Sequence, residues 1–121
     1  VFFTITARHA FDASHRLDES HKGCGHRWEV TVTARQHFNA SKQRLPDDDL
    51  QEALVELLTP LYNRMLNDML PATSASPEGL ASWLAEILAL KFPDITEVTV
   101  AASYGKTVTY HRELRRVGGL L

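Results

Sequence analysis

The sequence predicts an α+β domain in the order strand pair, two helices, strand pair. Three observations predict it. Apolar and polar residues alternate from the first residue to His15 and again from His26 to Ala34, leucines recur at helical spacing through the middle of the chain, and alternation returns at Val98–Ala102 before a Tyr104-Gly105 turn.

In the first segment Phe3, Ile5, Ala7, His9, Phe11, Ala13 and His15 fall on one side and Thr4, Thr6, Arg8, Asp12 and Ser14 on the other, the pattern of a long half-buried strand. Residues 16–25, with Gly23 and Gly25 among charges, read as a loop. In the second strand His26, Trp28, Val30, Val32 and Ala34 alternate with Arg27, Glu29, Thr31 and Thr33. Asp47, Asp48 and Asp49 stand where a helix N-terminus favours negative charge. Leu50, Leu54, Leu57, Leu58, Leu61 and Met65 mark one helical face, and Pro60 is expected to kink or divide that helix because it lacks an amide proton.

Residues 71–75 read as a linker. Ser76-Pro77-Glu78 then supplies a cap, a first-turn proline and a first-turn acid ahead of Leu80, Leu84, Ile87 and Leu88. Phe92-Pro93 is expected to end the second helix, and Thr107 to Tyr110 to form the return strand of the closing hairpin. No repeat or low-complexity tract interrupts this order, so residues 1–121 are expected to form a single domain.

Composition narrows the function classes. With 121 residues and 44% hydrophobic content the chain can build one modest core. Thirteen basic against fifteen acidic residues give no basic field for nucleic-acid binding, so a small molecule or a protein is the expected partner. No apolar run approaches the ~18 residues of a membrane span. The opening Val1-Phe2-Phe3-Thr4 has no signal-peptide blocks and no initiator methionine, which suggests a trimmed start. A lone cysteine fits a reducing compartment, so the cytoplasm is the expected location.

Three of the six histidines, His15, His21 and His26, crowd together with Cys24 among them. In a strand residues two apart share a face, so Cys24 and His26 are expected to project together, with His15 across the hairpin as a third donor. Three nitrogen or sulfur ligands with an open fourth position describe a catalytic zinc site. The competing reading is a set of loop histidines that titrate and bind nothing. Cys24 could be a thiolate ligand, a nucleophile or base with a lowered pKa, or an inert small residue; ligand is the first choice. His9, on the apolar face, is expected to be a satisfied core or interface histidine, and His37 and His111 to be solvated. Trp28 either walls the pocket or packs in the core. Ser103 and Thr107 could offer hydroxyls to a ligand.

Phe11-Asp12-Ala13-Ser14-His15-Arg16-Leu17 and Cys24-Gly25-His26-Arg27-Trp28 resemble the zinc-binding motifs of the 6-pyruvoyltetrahydropterin synthase and 6-carboxytetrahydropterin synthase family, whose second motif reads His-Gly-His with an aromatic residue shortly after. The resemblance continues through Leu66-Asn67-Asp68, Glu78, Leu80-Ala81, Trp83 and Val98-Thr99-Val100. It implies the tunnelling fold, a four-stranded antiparallel sheet with two helices on one face (ββααββ), whose subunits close into an oligomeric barrel as a homotrimer or homohexamer with sites between subunits. It also implies His15 and His26 as zinc ligands, with Cys24 in place of the motif's first histidine.

The catalytic part matches less well. The family's cysteine before the second motif has no counterpart unless Cys24 serves. Its Asp-His pair falls on Tyr62-Asn63, and its substrate-anchoring glutamate on Ala102. Tyr62, His21 and Cys24 are the remaining candidates for proton transfer. The resemblance therefore implies a divergent zinc-dependent lyase acting on a dihydroneopterin triphosphate-like or related heterocyclic substrate. The alternatives are a ligand-binding or assembly protein without lyase activity and, ranked last, a metal-free structural oligomer.

Overall fold

The structure, a computed structural model, describes residues 2–16, 24–37, 47–71 and 74–113, and the side chains of Cys24, His37, Asp47 and Asp48 lie outside that description. Its elements in chain order are β1 (Phe2–His15), β2 (Cys24–His37), α1 (Asp47–Leu58), a short α2 (Leu66–Met69), α3 (Pro77–Ala89), β3 (Ile95–Ala102) and β4 (Lys106–His111). The four strands form one antiparallel sheet in the order β1-β2-β3-β4.

Pairing of β1 with β2 sets Phe11 against Trp28, Ala7 against Val32 and Ile5 against Ala34, so the apolar sets of both strands share one sheet face. Helices α1 and α3 cover that face, α1 over β1 and α3 over β3 and β4. Leu50, Leu54 and Leu58 from α1 and Leu80, Leu84 and Leu88 from α3 are buried against Trp28, Val30, Val32, Val98 and Val100. Burying such aliphatic side chains stabilises the fold by roughly 1.5–3 kcal/mol each relative to exposure. Ile95 is buried although it breaks the even-numbered alternation of Val98, Val100 and Ala102, because a register shift at Thr33/Ala34 brings it opposite Ala34.

The first helix is divided, one of the two outcomes expected of Pro60. It ends at Leu58, and Pro60 sits in a 3-10 turn over Thr59–Leu61, where its missing amide proton removes no helical bond. The four-residue helix α2 follows, just beyond the Leu50–Met65 run. Ser76 caps α3 as expected, its Oγ accepting from the Gly79 amide at 3.0 Å. That helix stops at Ala89, before Phe92-Pro93, and its last turn closes through the Lys91 and Phe92 amides bonded to the Leu88 carbonyl. The β3–β4 turn carries Gly105 at φ 100°, where a side chain would be strained.

The segment 62–70 is laid along the outer edge of β1. The Asn63 amide donates to the Asp12 carbonyl at 2.7 Å, the Ser14 amide to the Arg64 carbonyl at 2.9 Å, and Ser14 and Met65 form an isolated parallel bridge. Asn63 adopts φ 57°, a left-handed conformation that asparagine tolerates better than most residues. The carboxamide of Asn67 completes the clamp, accepting from the Arg16 amide at 2.9 Å and donating to the Arg16 carbonyl at 3.0 Å. The C-terminal end of β1 is thus fixed just where His15 stands.

Candidate metal and ligand site

The β1–β2 register places Ala13 opposite His26 and His15 opposite Cys24. Residues directly opposite share a sheet face, so the pairing carries both histidines onto the helix-covered side at the loop end of the hairpin. The His15 ring is buried and meets His26 edge-on, with centroids 5.1 Å apart and planes at 68°.

Two features make this pair fit a cation. The first is the tautomer. His15 Nδ1 lies 2.9 Å from the Ala75 carbonyl, which can only accept, so the proton is on Nδ1 and the Nε2 lone pair is left available. The second is spacing. Two imidazoles on one tetrahedral zinc, with bonds of about 2.0–2.1 Å, hold their ring centres about 5 Å apart. The observed separation matches. His26 adds a third consideration, since burial first and the neighbouring His15 second push its pKa below the usual histidine value and favour the neutral, coordinating form.

Among the described residues no group of three or more His, Cys, Asp or Glu side chains is assembled for a metal. The register puts the Cys24 backbone opposite His15, but the Cys24 side chain and the whole of His21 lie outside the described residues.

Trp28 is fully buried, its Nε1 donating to the Ala13 carbonyl at 3.0 Å. Its ring stands edge-on to His15 at 5.0 Å and near His26 at 6.3 Å. Core packing and walling of the histidine pair are therefore one role. Ala102, opposite Trp28 in register, is nearly buried and brings no functional group.

The sequence marks Tyr104 only as a turn residue. Its ring is stacked on His15 with centroids 5.8 Å apart and planes at 12°, and lies 4.5 Å from His26. The Ala75 carbonyl and Asn67, which fix the His15 ring and the backbone that follows it, likewise carry no site signature in the sequence. A backbone acceptor has no sequence signature at all.

Tyr62 and His9 form a separate cluster. The Tyr62 hydroxyl and His9 Nε2 share a hydrogen bond, and the Tyr62 ring stacks on His9 and Phe11. His9 and Phe11 precede His15 by six and four residues, roughly 20 and 13 Å along a strand. One chain therefore does not bring Tyr62 to the imidazole pair.

Ser103 accepts from the Arg27 amide through Oγ at 3.1 Å and borders a shallow pocket shared with Asp12, Ser14, Arg27 and Asn63, with His26 also in its lining. Thr107 pairs with Ala101 and so lies on the sheet face opposite the histidines, exposed. His111 is exposed, with Glu97 3.4 Å away. A second concavity, lined by Ile5, Ala34, Asp49, Leu50 and Phe92, lies at the far end of the sheet, with no imidazole among the described residues that line it.

A four-stranded antiparallel sheet covered on one face by helices defines a class of small α+β proteins, to which this chain belongs. Residues 4–113 match the family model described as 6-pyruvoyl tetrahydropterin synthase, and the chain belongs to that family. The fold matches the structure of 6-pyruvoyl tetrahydropterin synthase from Caenorhabditis elegans with a TM-score of 0.77 at 18% identity, covering 93% of this chain and 97% of that one. No curated protein matches the chain in sequence. Among the described residues no helix is long and apolar enough to cross a membrane.

Proposed function

We propose that the protein is a divergent zinc-dependent pterin synthase-like lyase whose substrate is a dihydroneopterin triphosphate-like or related heterocycle. The observation that carries this reading is the imidazole pair of His15 and His26, spaced for one tetrahedral ion, with the His15 tautomer set by the Ala75 carbonyl. Cys24 is the third ligand in this reading, a thiolate where the family pattern has an imidazole.

When bound, the ion supplies Lewis acidity toward a substrate oxygen. The chain's own residues do the rest. His15 is oriented by Ala75 and by the Asn67 clamp on Arg16, Trp28 excludes water from the inner side, and Tyr104 covers part of the outer side. With Cys24 on the ion, proton transfer within one chain falls to His21; were Cys24 the proton carrier, the third ligand position would be vacant. Tyr62 could take part only at a site completed by a second subunit, in keeping with assembly as a homotrimer or homohexamer in the cytoplasm.

A second reading, a ligand-binding or assembly protein without lyase activity, is favoured by two particular observations. The Tyr62 hydroxyl is engaged by His9, and the methyl group of Ala102 offers no carboxylate beside Trp28. Each loss would cost on the order of a hundredfold in rate or affinity.

Metal analysis and sedimentation of the purified protein, followed by an assay on dihydroneopterin triphosphate, test the proposal. The expected result is about one zinc per chain in a trimer or hexamer, with weak turnover of that substrate. Protein free of stoichiometric metal would overturn the zinc site. Zinc without turnover of any related heterocycle would favour the second reading.

A further inference from the structure

The Tyr104 ring has two faces in different surroundings. One is stacked almost parallel on the buried His15 ring and reaches His26, whereas the residue as a whole remains 46% exposed. The turn that carries it is anchored. The Ser103 amide donates to the Arg27 carbonyl at 2.9 Å, the Arg27 amide donates to Ser103 Oγ at 3.1 Å, and the Gly105 amide donates to the Ala102 carbonyl at 3.0 Å. A large aromatic ring is thus held in one orientation at the mouth of the site, backed by an imidazole on one side. Orienting such a ring in advance removes part of the ordering cost that a ligand would otherwise meet on stacking.

Polar groups adjoin it. Ser103 is its chain neighbour and the His26 ring lies 4.5 Å away, whereas Asp12 and Arg27 belong to the opposite sheet face, where their side chains pair at 3.7 Å. A flat apolar surface bordered by a few hydrogen-bonding groups is the arrangement by which proteins hold planar heterocycles, stacking supplying affinity and edge contacts supplying orientation.

We propose that Tyr104 is a stacking platform for a planar heteroaromatic ligand bound beside the His15–His26 pair. This rests on the reading of that pair as the functional site and adds a specificity residue to it. Tyr104 acts through its ring face, so its hydroxyl is dispensable for binding. The ligand lies against Tyr104 rather than between the imidazoles, and its affinity depends on aromaticity at position 104 whether or not turnover occurs.

The test is calorimetric titration of zinc-loaded protein with neopterin, guanosine and riboflavin, with sorbitol as a non-planar control, for wild type, Tyr104→Ala, Tyr104→Phe and Tyr104→Trp. At least one planar compound is expected to bind wild type, and sorbitol is not. Tyr104→Ala should weaken that binding about tenfold, within the range seen when stacked aromatics are truncated, and the Phe and Trp variants should restore it. Metal content and melting temperature of each variant guard against a folding defect, and the Phe and Trp rescue reads the ring itself. Binding of guanosine or riboflavin but not neopterin, still lost in Tyr104→Ala, would sustain the platform and count against the pterin reading. Neopterin binding that is equal in wild type and Tyr104→Ala would sustain the pterin reading and overturn the platform. Failure of all three planar compounds to bind wild type would also overturn it.

Discussion

Two imidazoles on the same strand, His9 and His15, differ in which ring nitrogen is left for chemistry. Each sits on the helix-covered side of β1, and each has an aromatic ring stacked on it, Tyr62 on His9 and Tyr104 on His15. Each also stands next to a residue whose backbone is clamped by a carboxamide. Gln51 accepts from the Arg8 amide at 3.0 Å and donates to the Arg8 carbonyl at 2.9 Å, just as Asn67 does for Arg16. The difference is in the hydrogen bonds of the rings. His9 uses Nε2 on a side-chain hydroxyl, whereas His15 uses Nδ1 on a backbone carbonyl and keeps Nε2. Of the two, His15 alone is met by a second imidazole among the described residues, that of His26. The comparison teaches that what suits a histidine to a metal is what its other nitrogen is doing and what stands about 5 Å away, rather than its burial or its strand, and on that ground His15 is the proposed ligand and His9 is not.

The sharpest way to break this comparison is to remove one imidazole from each cluster. His26→Ala should abolish stoichiometric zinc, because two of the proposed three ligands do not make a stable site, and His9→Ala should retain it in full. Elemental analysis of the two variants decides the matter. Zinc lost from His9→Ala, or kept by His26→Ala, would show that the clusters had been assigned the wrong way round.

A smaller effect separates the two clamps. Asn67→Ala and Gln51→Ala each remove two hydrogen bonds to the β1 backbone and should each destabilise the fold by about 1–2 kcal/mol, measurable by urea denaturation. Only Asn67→Ala should also weaken zinc binding, by about tenfold, because it releases the backbone next to a ligand. Competition with a chelator reads that difference. Equal zinc affinity in both variants would mean that the clamp at Arg16 serves the strand edge alone.

How far these features could be read in advance differs along the chain. Alternation revealed β1 and β2 to within a few residues because one face of each strand is buried, and Ser76-Pro77 marked the start of α3 because a cap and a first-turn proline are local devices. Pro60 correctly signalled a break, but the path of residues 62–70 along β1 did not follow from it. That path depends on the Asn63, Arg64 and Asn67 contacts with Asp12, Ser14 and Arg16, about fifty residues away in sequence. Ile95 escaped the pattern because a bulge shifts the register. At the site, His15 and His26 stood out by residue type and spacing. Tyr104 reads as a turn residue, since stacking is a tertiary relation, and the sequence offers the Thr107 hydroxyl to a ligand although its pairing with Ala101 puts it on the other sheet face.

The smallest expected effect concerns the turn that carries Tyr104. Lys106, two residues on, donates from Nζ to Glu78 Oε2 at 2.6 Å and so ties the start of β4 to the first turn of α3. That hydrogen bond is the leading cause of both a lowered Glu78 pKa and a raised Lys106 pKa. Because the folded carboxyl holds its proton less tightly than the unfolded one, the Glu78 contribution is complete above its ordinary value of 4.5 and is lost as pH falls through the lowered folded value. The Lys106 contribution is complete below its ordinary value of 10.5 and is lost as pH rises through the raised folded value. Between those limits the pair contributes a constant small amount, screened by salt because both side chains are substantially exposed. Glu78→Gln should therefore lower the melting temperature slightly at neutral pH, and the difference from wild type should shrink as the pH drops below 4.5. Amide exchange at Gly105 and Lys106 should quicken in the variant, while exchange around His9 should not change. A difference in melting temperature that persists undiminished at about pH 3 would show that Glu78 acts on α3 alone, through its place in the first turn, and that the turn bearing Tyr104 is held by its own hydrogen bonds.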